Sequence, residues 1–192
     1  MKDKGFTLIE MVTAVGIFST LAAVLTGFFI SATQAQQKTL ASQGLIDNVS
    51  YNLEYISRAV RMAKKDLSGS CLATVGAKYN YETNAERNRI RFLNYQNKCQ
   101  EFFLDGNQLK EQKSTDNSAF NFEAPLSLTP ASLEVVSFIL DGSESWGQGQ
   151  EPLTQPRVTL FLEIKGKGQR PELQSSIKIQ TIISQRNLNV IY

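Results

Sequence analysis

The sequence predicts an α+β protein. A long N-terminal α-helix, transmembrane in its first half and amphipathic in its second, packs on a C-terminal antiparallel β-sheet head. Three observations carry this. Between Glu10 and Lys38 lie 27 consecutive residues without a charge. Behind them, apolar residues recur at helical spacing from Leu45 to Ala63. From Ser68 onward that period gives way to short runs alternating apolar and polar, divided by turn residues.

The N-terminal element opens with a polar head, Met1 to Gly5, of net charge +1. From Phe6 to Ala32 the only charge is Glu10. Met11 to Ile30 supplies twenty mostly apolar residues, enough for about 30 Å of helix and one bilayer crossing. Lys2 and Lys4 ahead of the span favour a cytoplasmic N-terminus and an exported C-terminal region. The alternative is a secretory signal peptide, whose apolar core runs only about 7–15 residues and ends at a small-x-small site. Here the core is longer, and only Thr33-Gln34-Ala35 resembles such a site. Glu10 is the anomaly, because an ionised carboxylate inside an apolar span costs about 3 kcal/mol. Either it reaches the interface or is protonated, or it meets a specific positive partner. An intramembrane carboxylate is read as functional by default.

The segment Lys4-Gly5-Phe6-Thr7-Leu8-Ile9-Glu10, followed by an uncharged helix, resembles the type IV prepilin signal of pilins and pseudopilins. The resemblance covers about Lys4 to Ile30. It implies that a membrane aspartyl peptidase, the prepilin peptidase, cuts between Gly5 and Phe6. It also implies that this enzyme methylates the new amine of Phe6 and that Glu10 is the assembly glutamate. After such a cut Phe6 carries a positive amine in an apolar setting. A carboxylate on a neighbouring subunit would compensate it, and each charge alone would be costly. Gly5 offers a peptidase extended backbone without side-chain bulk. The implied partners are other pilin or pseudopilin subunits, the prepilin peptidase and an inner-membrane assembly platform. The implied location is a single pass through the inner membrane, with the head periplasmic or extracellular. One departure is visible: major pilins commonly carry a proline about twenty residues into the mature helix, where this chain has Thr26-Gly27. Glycine breaks a helix more weakly, by about 1 kcal/mol relative to alanine, which leaves local melting near Gly16 or Gly27 open. Length and a sheet-rich head resemble the minor pseudopilins of the J type in type II secretion. The alternative function is a single-span anchor presenting a periplasmic binding or enzymatic domain.

The helix continues beyond the span. Leu45, Val49, Leu53, Ile56, Val60 and Ala63 follow steps of 4, 4, 3, 4 and 3, one helical face suited to packing on a head. The first proline is Pro125. One helix from Phe6 to about Ala63 would measure roughly 87 Å, ending near Lys64-Lys65 with Gly69 close behind. The domain reading is therefore a leader at 1–5, a transmembrane and assembly helix at 6–32, an amphipathic stalk at 33–65 and a head at 66–192.

In the head, strands are expected at Arg89–Tyr95, Gln100–Leu104, Asn107–Glu111, Leu133–Leu140, Arg157–Lys165 and around Ile177–Ile183. Asp105-Gly106 signals a hairpin. Five or six such strands with short polar turns point to one antiparallel sheet. Two loops stand out, Ser114–Ala131 with two prolines and the glycine-rich Asp141–Pro156, which holds Trp146. Trp146 is expected to cap the core, or to contact a neighbouring subunit or cargo. Asp141, Glu144 and Glu151 fit no calcium-loop spacing, so no metal is expected. In an exported head, Cys71 and Cys99, the two cysteines, are read as a disulfide, with two buried thiols as the alternative.

Composition bounds the function. Lys plus Arg total 20 and Asp plus Glu 18, a net charge of +2. That argues against a nucleic-acid partner, which needs clustered basic surface. The chain has no histidine, which removes the commonest general base and nearly every ordinary zinc or iron site. No phosphate loop, Gly-x-Ser-x-Gly elbow or acidic cluster occurs. The chain is expected not to be an enzyme and to need no cofactor. A histidine-free Ser-Lys enzyme is the remaining catalytic option, and nothing points to one.

Overall fold

The computed structural model describes residues 5–72, 80–143, 156–168, 170 and 174–185. Its first element, α1, runs unbroken over Leu8–Arg61, 54 residues and about 81 Å. Thr7, extended at φ −81° and ψ 153°, caps its start. Arg58 and Arg61 lie in its last turn, where cations complement the negative end of the helix dipole. At the same end the N–H groups of Met62 and Ala63 donate to the Arg58 and Val60 carbonyls, each at 3.2 Å. The helix thus begins and stops two residues inside the expected limits.

From Phe6 to Ile30 the large apolar side chains are all exposed; Phe6 is 83% and Phe28 74% accessible. Each would gain about 1.5–3 kcal/mol by leaving water, so this half of α1 requires an apolar environment. Its hydroxyls are already satisfied. Thr13 donates to the Ile9 carbonyl at 3.0 Å, Ser19 to Val15 at 2.7 Å and Thr26 to Ala22 at 2.8 Å. Ser31 and Thr33 repeat the pattern one turn back. Hydroxyls bonded to their own helix present no unpaired donor to lipid.

The second half buries Leu45, Val49, Asn52, Ile56 and Val60. The expected stripe therefore needs one correction: Leu53 is only partly buried, and the fully buried position beside it is Asn52. Steps of 4, 3, 4 and 4 describe one face as well as the expected steps do. A polar side chain at 52 concealed that phase.

Eight strands follow among the described residues, in two antiparallel sheets where one was expected. The first sheet holds β1 (Tyr81–Thr83), β2 (Arg89–Leu93), β3 (Cys99–Asp105), β4 (Gln108–Lys113) and β5 (Leu126–Ser127), in chain order. The second holds β6 (Leu133–Ser143), β7 (Arg157–Gly166) and β8 (Ser176–Ser184). At three and two residues, β1 and β5 are too short to show a period. The β3–β4 hairpin pairs Asp105 with Gln108, leaving a two-residue turn that opens on Gly106 at φ +58°, a conformation that favours glycine. The sheets meet at β6, where the N–H groups of Val135 and Leu140 donate to the carbonyls of Asn107 and Arg87 at 2.9 and 2.8 Å.

The core lies between α1 and both sheets. Phe92, Phe102 and Leu109 come from the first, and Val158, Leu160, Leu162 and Ile164 are the alternating face of β7. A satellite cluster joins Cys71, Leu72, Leu93 and Cys99 on the opposite side of the first sheet. There Cys71 and Cys99 are disulfide-bonded, with Cα atoms 5.4 Å apart. Asp66, 1% exposed, shapes the approach to that bond. Its Oδ1 accepts from Ser68 N and Gly69 N at 3.2 and 2.8 Å, and its Oδ2 from Cys71 N and Leu72 N at 2.9 and 3.2 Å. Burial pushes the Asp66 carboxyl up, but those donors outweigh it and hold it below the usual carboxylate range.

Candidate processing and assembly site

The expected site residues Gly5, Phe6 and Glu10 gather at the start of α1. Residues 5–7 precede the helix without regular structure, so the Gly5–Phe6 peptide lies in backbone that no helical hydrogen bond protects. A Cβ added at Gly5 would meet nothing within 4 Å. The chain's own packing therefore does not require glycine there.

Glu10 is the third residue of α1, in its first turn, where a carboxylate complements the positive end of the helix dipole. Its Oε2 accepts from the Thr7 N–H at 2.9 Å and from the Thr7 hydroxyl at 2.8 Å. In return Glu10 N–H donates to Thr7 Oγ1 at 3.3 Å. This is a reciprocal capping box. Thr7 is the residue that sequence reasoning missed. The signal was present, since Thr-x-x-Glu directly before an apolar run is the pattern of such a box. Within a single chain the Glu10 carboxylate is thus already oriented, by two donors from one residue. Chemically it offers an acceptor at the N-terminal end of an apolar helix, four residues after Phe6.

Among the described residues, α1 is the one helix long and apolar enough to cross a membrane. The remaining site expectations divide. Cys71 and Cys99 come together as a disulfide. Asp141 faces Arg87, with 3.7 Å between Oδ1 and Nη1. Trp146, Glu144 and Glu151 lie outside the described residues, so the expectations for the Trp146 loop and for calcium fall there.

Residues 1–26 match the family model of the prokaryotic N-terminal methylation motif. No curated protein matches the chain, and no solved structure matches it.

Proposed function

We infer that this chain, which carries the type IV pilin and pseudopilin signal, is the precursor of a filament subunit. Prepilin peptidase removes residues 1–5 and methylates Phe6, and the mature chain assembles through α1 into a pilus-like or type II secretion filament. The head is exported, and the protein acts by assembly and not as an enzyme. The observation carrying this reading is the match over 1–26, which runs into a helix whose large apolar side chains from Leu8 to Ile30 are all exposed. Glu10 is the pairing group. In the free subunit its carboxylate is held by Thr7. In the filament, the methylated amine of a neighbouring Phe6 is the stronger, charged donor. Within lipid the pair compensates two charges that would each be costly alone. Among filament types, we favour a minor subunit of the type II secretion pseudopilus, on the length and sheet content of the head.

The test is co-expression of the full chain with a prepilin peptidase and the filament machinery, comparing wild type with Glu10→Gln. We expect both to be cleaved and only wild type to enter sheared filaments in quantity. Equal incorporation of Glu10→Gln would refute the pairing role. An uncleaved wild-type chain would favour the reading as a simple membrane anchor.

A further inference from the structure

The turn between β7 and β8 lies at the end of the head nearest the apolar half of α1. Ser175, just before β8, meets the Ser42 hydroxyl at 2.9 Å. Gly166 N–H closes the turn on the Ser175 carbonyl at 2.9 Å, and Lys167 N–H donates to the Ser132 carbonyl at 2.8 Å. Gln174 Nε2 adds a bond to the Gly168 carbonyl at 2.9 Å. Lys167 therefore projects from fixed backbone. On α1, Thr33, Gln37, Ala41 and Ser42 are half-buried, whereas Gln34, Ala35 and Gln36 are exposed. Steps of four carry that half-buried line on to the buried Leu45. The side of α1 turned to the head thus begins at Thr33, three residues past Ile30.

Three cations stand at this end. Lys38 precedes Ser42 and Leu45 by four and seven residues, on the same face of α1. Lys167 and Arg170 belong to the turn. All three are exposed, and the ion pairs among the described residues leave each of them without a carboxylate. The neighbouring acids are already engaged, Glu134 by Lys165 at 3.4 Å and Asp105 by Lys110 at 2.7 Å. Asp47 stands nine residues beyond Lys38, about 13 Å further from the span. Glu172 is the one acid in the sequence of the turn. Three free cations against that single acid leave this end positive.

Their height matches the headgroup layer of a bilayer. The 27 uncharged residues between Glu10 and Lys38 make about 40 Å of helix, the thickness of a hydrocarbon core with its headgroups. With Glu10 at one boundary, Lys38 comes at the headgroups of the other. Ser175 meets α1 one turn beyond Lys38, which brings Lys167 and Arg170 to that level. Beside Lys167 a crevice of about 300 Å³ opens between α1 and the turn, lined by Leu40, Gly44, Pro130 and Leu133. Leu40 is 66% exposed. Cations beside an apolar crevice suit a lipid, which joins an anionic phosphate to apolar carbon. Inorganic phosphate would leave the crevice unused.

We propose that Lys38, Lys167 and Arg170 form a docking site for the phosphate groups of anionic phospholipids, which holds the base of the head against the bilayer. The contact rests on the reading of α1 as a membrane span. Lysine offers a phosphate a point charge, and arginine a planar pair of donors. Each cation near an anionic surface contributes modestly. The span already confines the head at that surface, so weak contacts suffice.

The full chain in lipid nanodiscs, one copy per disc, tests this without contacts between copies. Cys71 and Cys99 are bonded to each other and leave an introduced Ser176→Cys to carry a fluorophore at the exposed start of β8. A nitroxide on the lipid headgroup quenches it by proximity. Quenching should be about twofold stronger in discs containing phosphatidylglycerol than in discs of phosphatidylcholine alone. High salt should remove that difference. So should Lys38→Gln with Lys167→Gln and Arg170→Gln, whereas Lys38→Arg with Lys167→Arg should keep it. Equal quenching in the two lipids, a glutamine variant that keeps the difference, or an arginine variant that loses it would each overturn the site. Loss of the difference on adding inorganic phosphate at constant ionic strength would also overturn it, by showing a site for free phosphate. A wild-type chain that stays out of the discs would instead overturn the membrane reading beneath it.

Discussion

Thr7 and Glu10 hold each other at the first turn of α1: the Thr7 N–H and hydroxyl reach one carboxylate oxygen at 2.9 and 2.8 Å, and the Glu10 N–H returns to the hydroxyl at 3.3 Å. The residue that costs most to place in an apolar span is thereby the one that starts the helix. Its carboxylate is satisfied within the single chain, at the end of α1 nearest the Gly5–Phe6 peptide.

Thr7→Ala should remove the cap and cost about 1 kcal/mol. Amide exchange at Glu10, whose N–H the Thr7 hydroxyl accepts, measured on the full chain in micelles, should then quicken about fivefold. Exchange at the wild-type rate would show that the box does not hold the first turn.

Asp66 gives the head an acid-sensitive joint. Its folded-state pKa is lowered, so its stabilisation is complete above the ordinary carboxylate value and is lost as pH falls through the folded value. Asp66→Asn should cost about 2–3 kcal/mol near neutrality. In urea titrations the gap between wild type and variant should narrow between about pH 5 and pH 2. A gap that stays constant with pH would remove the carboxylate's charge from the explanation.

The Cys71–Cys99 bond closes a loop of sequence separation 28. Reduction, or Cys99→Ser with Cys71→Ser, should lower the stability of the head by about 3–4 kcal/mol. The urea midpoint of the full chain in micelles reads this directly. An unchanged midpoint would mean that the satellite cluster holds without its crosslink.

Much of this architecture was legible in the sequence. The uncharged stretch located the apolar half of α1, and the alternation of Val158, Leu160, Leu162 and Ile164 located β7 with its buried face. The signal around Gly5, Phe6 and Glu10 is local, and a local pattern survives without knowledge of the fold. What stayed hidden depends on tertiary context. The division into two sheets is decided by which strands pair. β1 and β5 exist because neighbours recruit them. Asn52 occupies a core position that apolar periodicity cannot detect.

Asn52 supplies the test of that last point. Both side-chain amide atoms are buried without a hydrogen-bond partner among the described residues. An unpaired buried amide costs about 1–3 kcal/mol. Asn52→Leu should therefore stabilise the head, shifting its urea midpoint upward. A downward shift would show that the amide is engaged in the folded protein.

The central claim is that the mature chain begins at Phe6. Intact-mass and N-terminal peptide analysis of the protein from cells expressing a prepilin peptidase tests this most directly. Loss of residues 1–5 and a methylated Phe6 amine are the expected result. A chain that keeps its first five residues beside an active peptidase, or that starts beyond the apolar span, would contradict it.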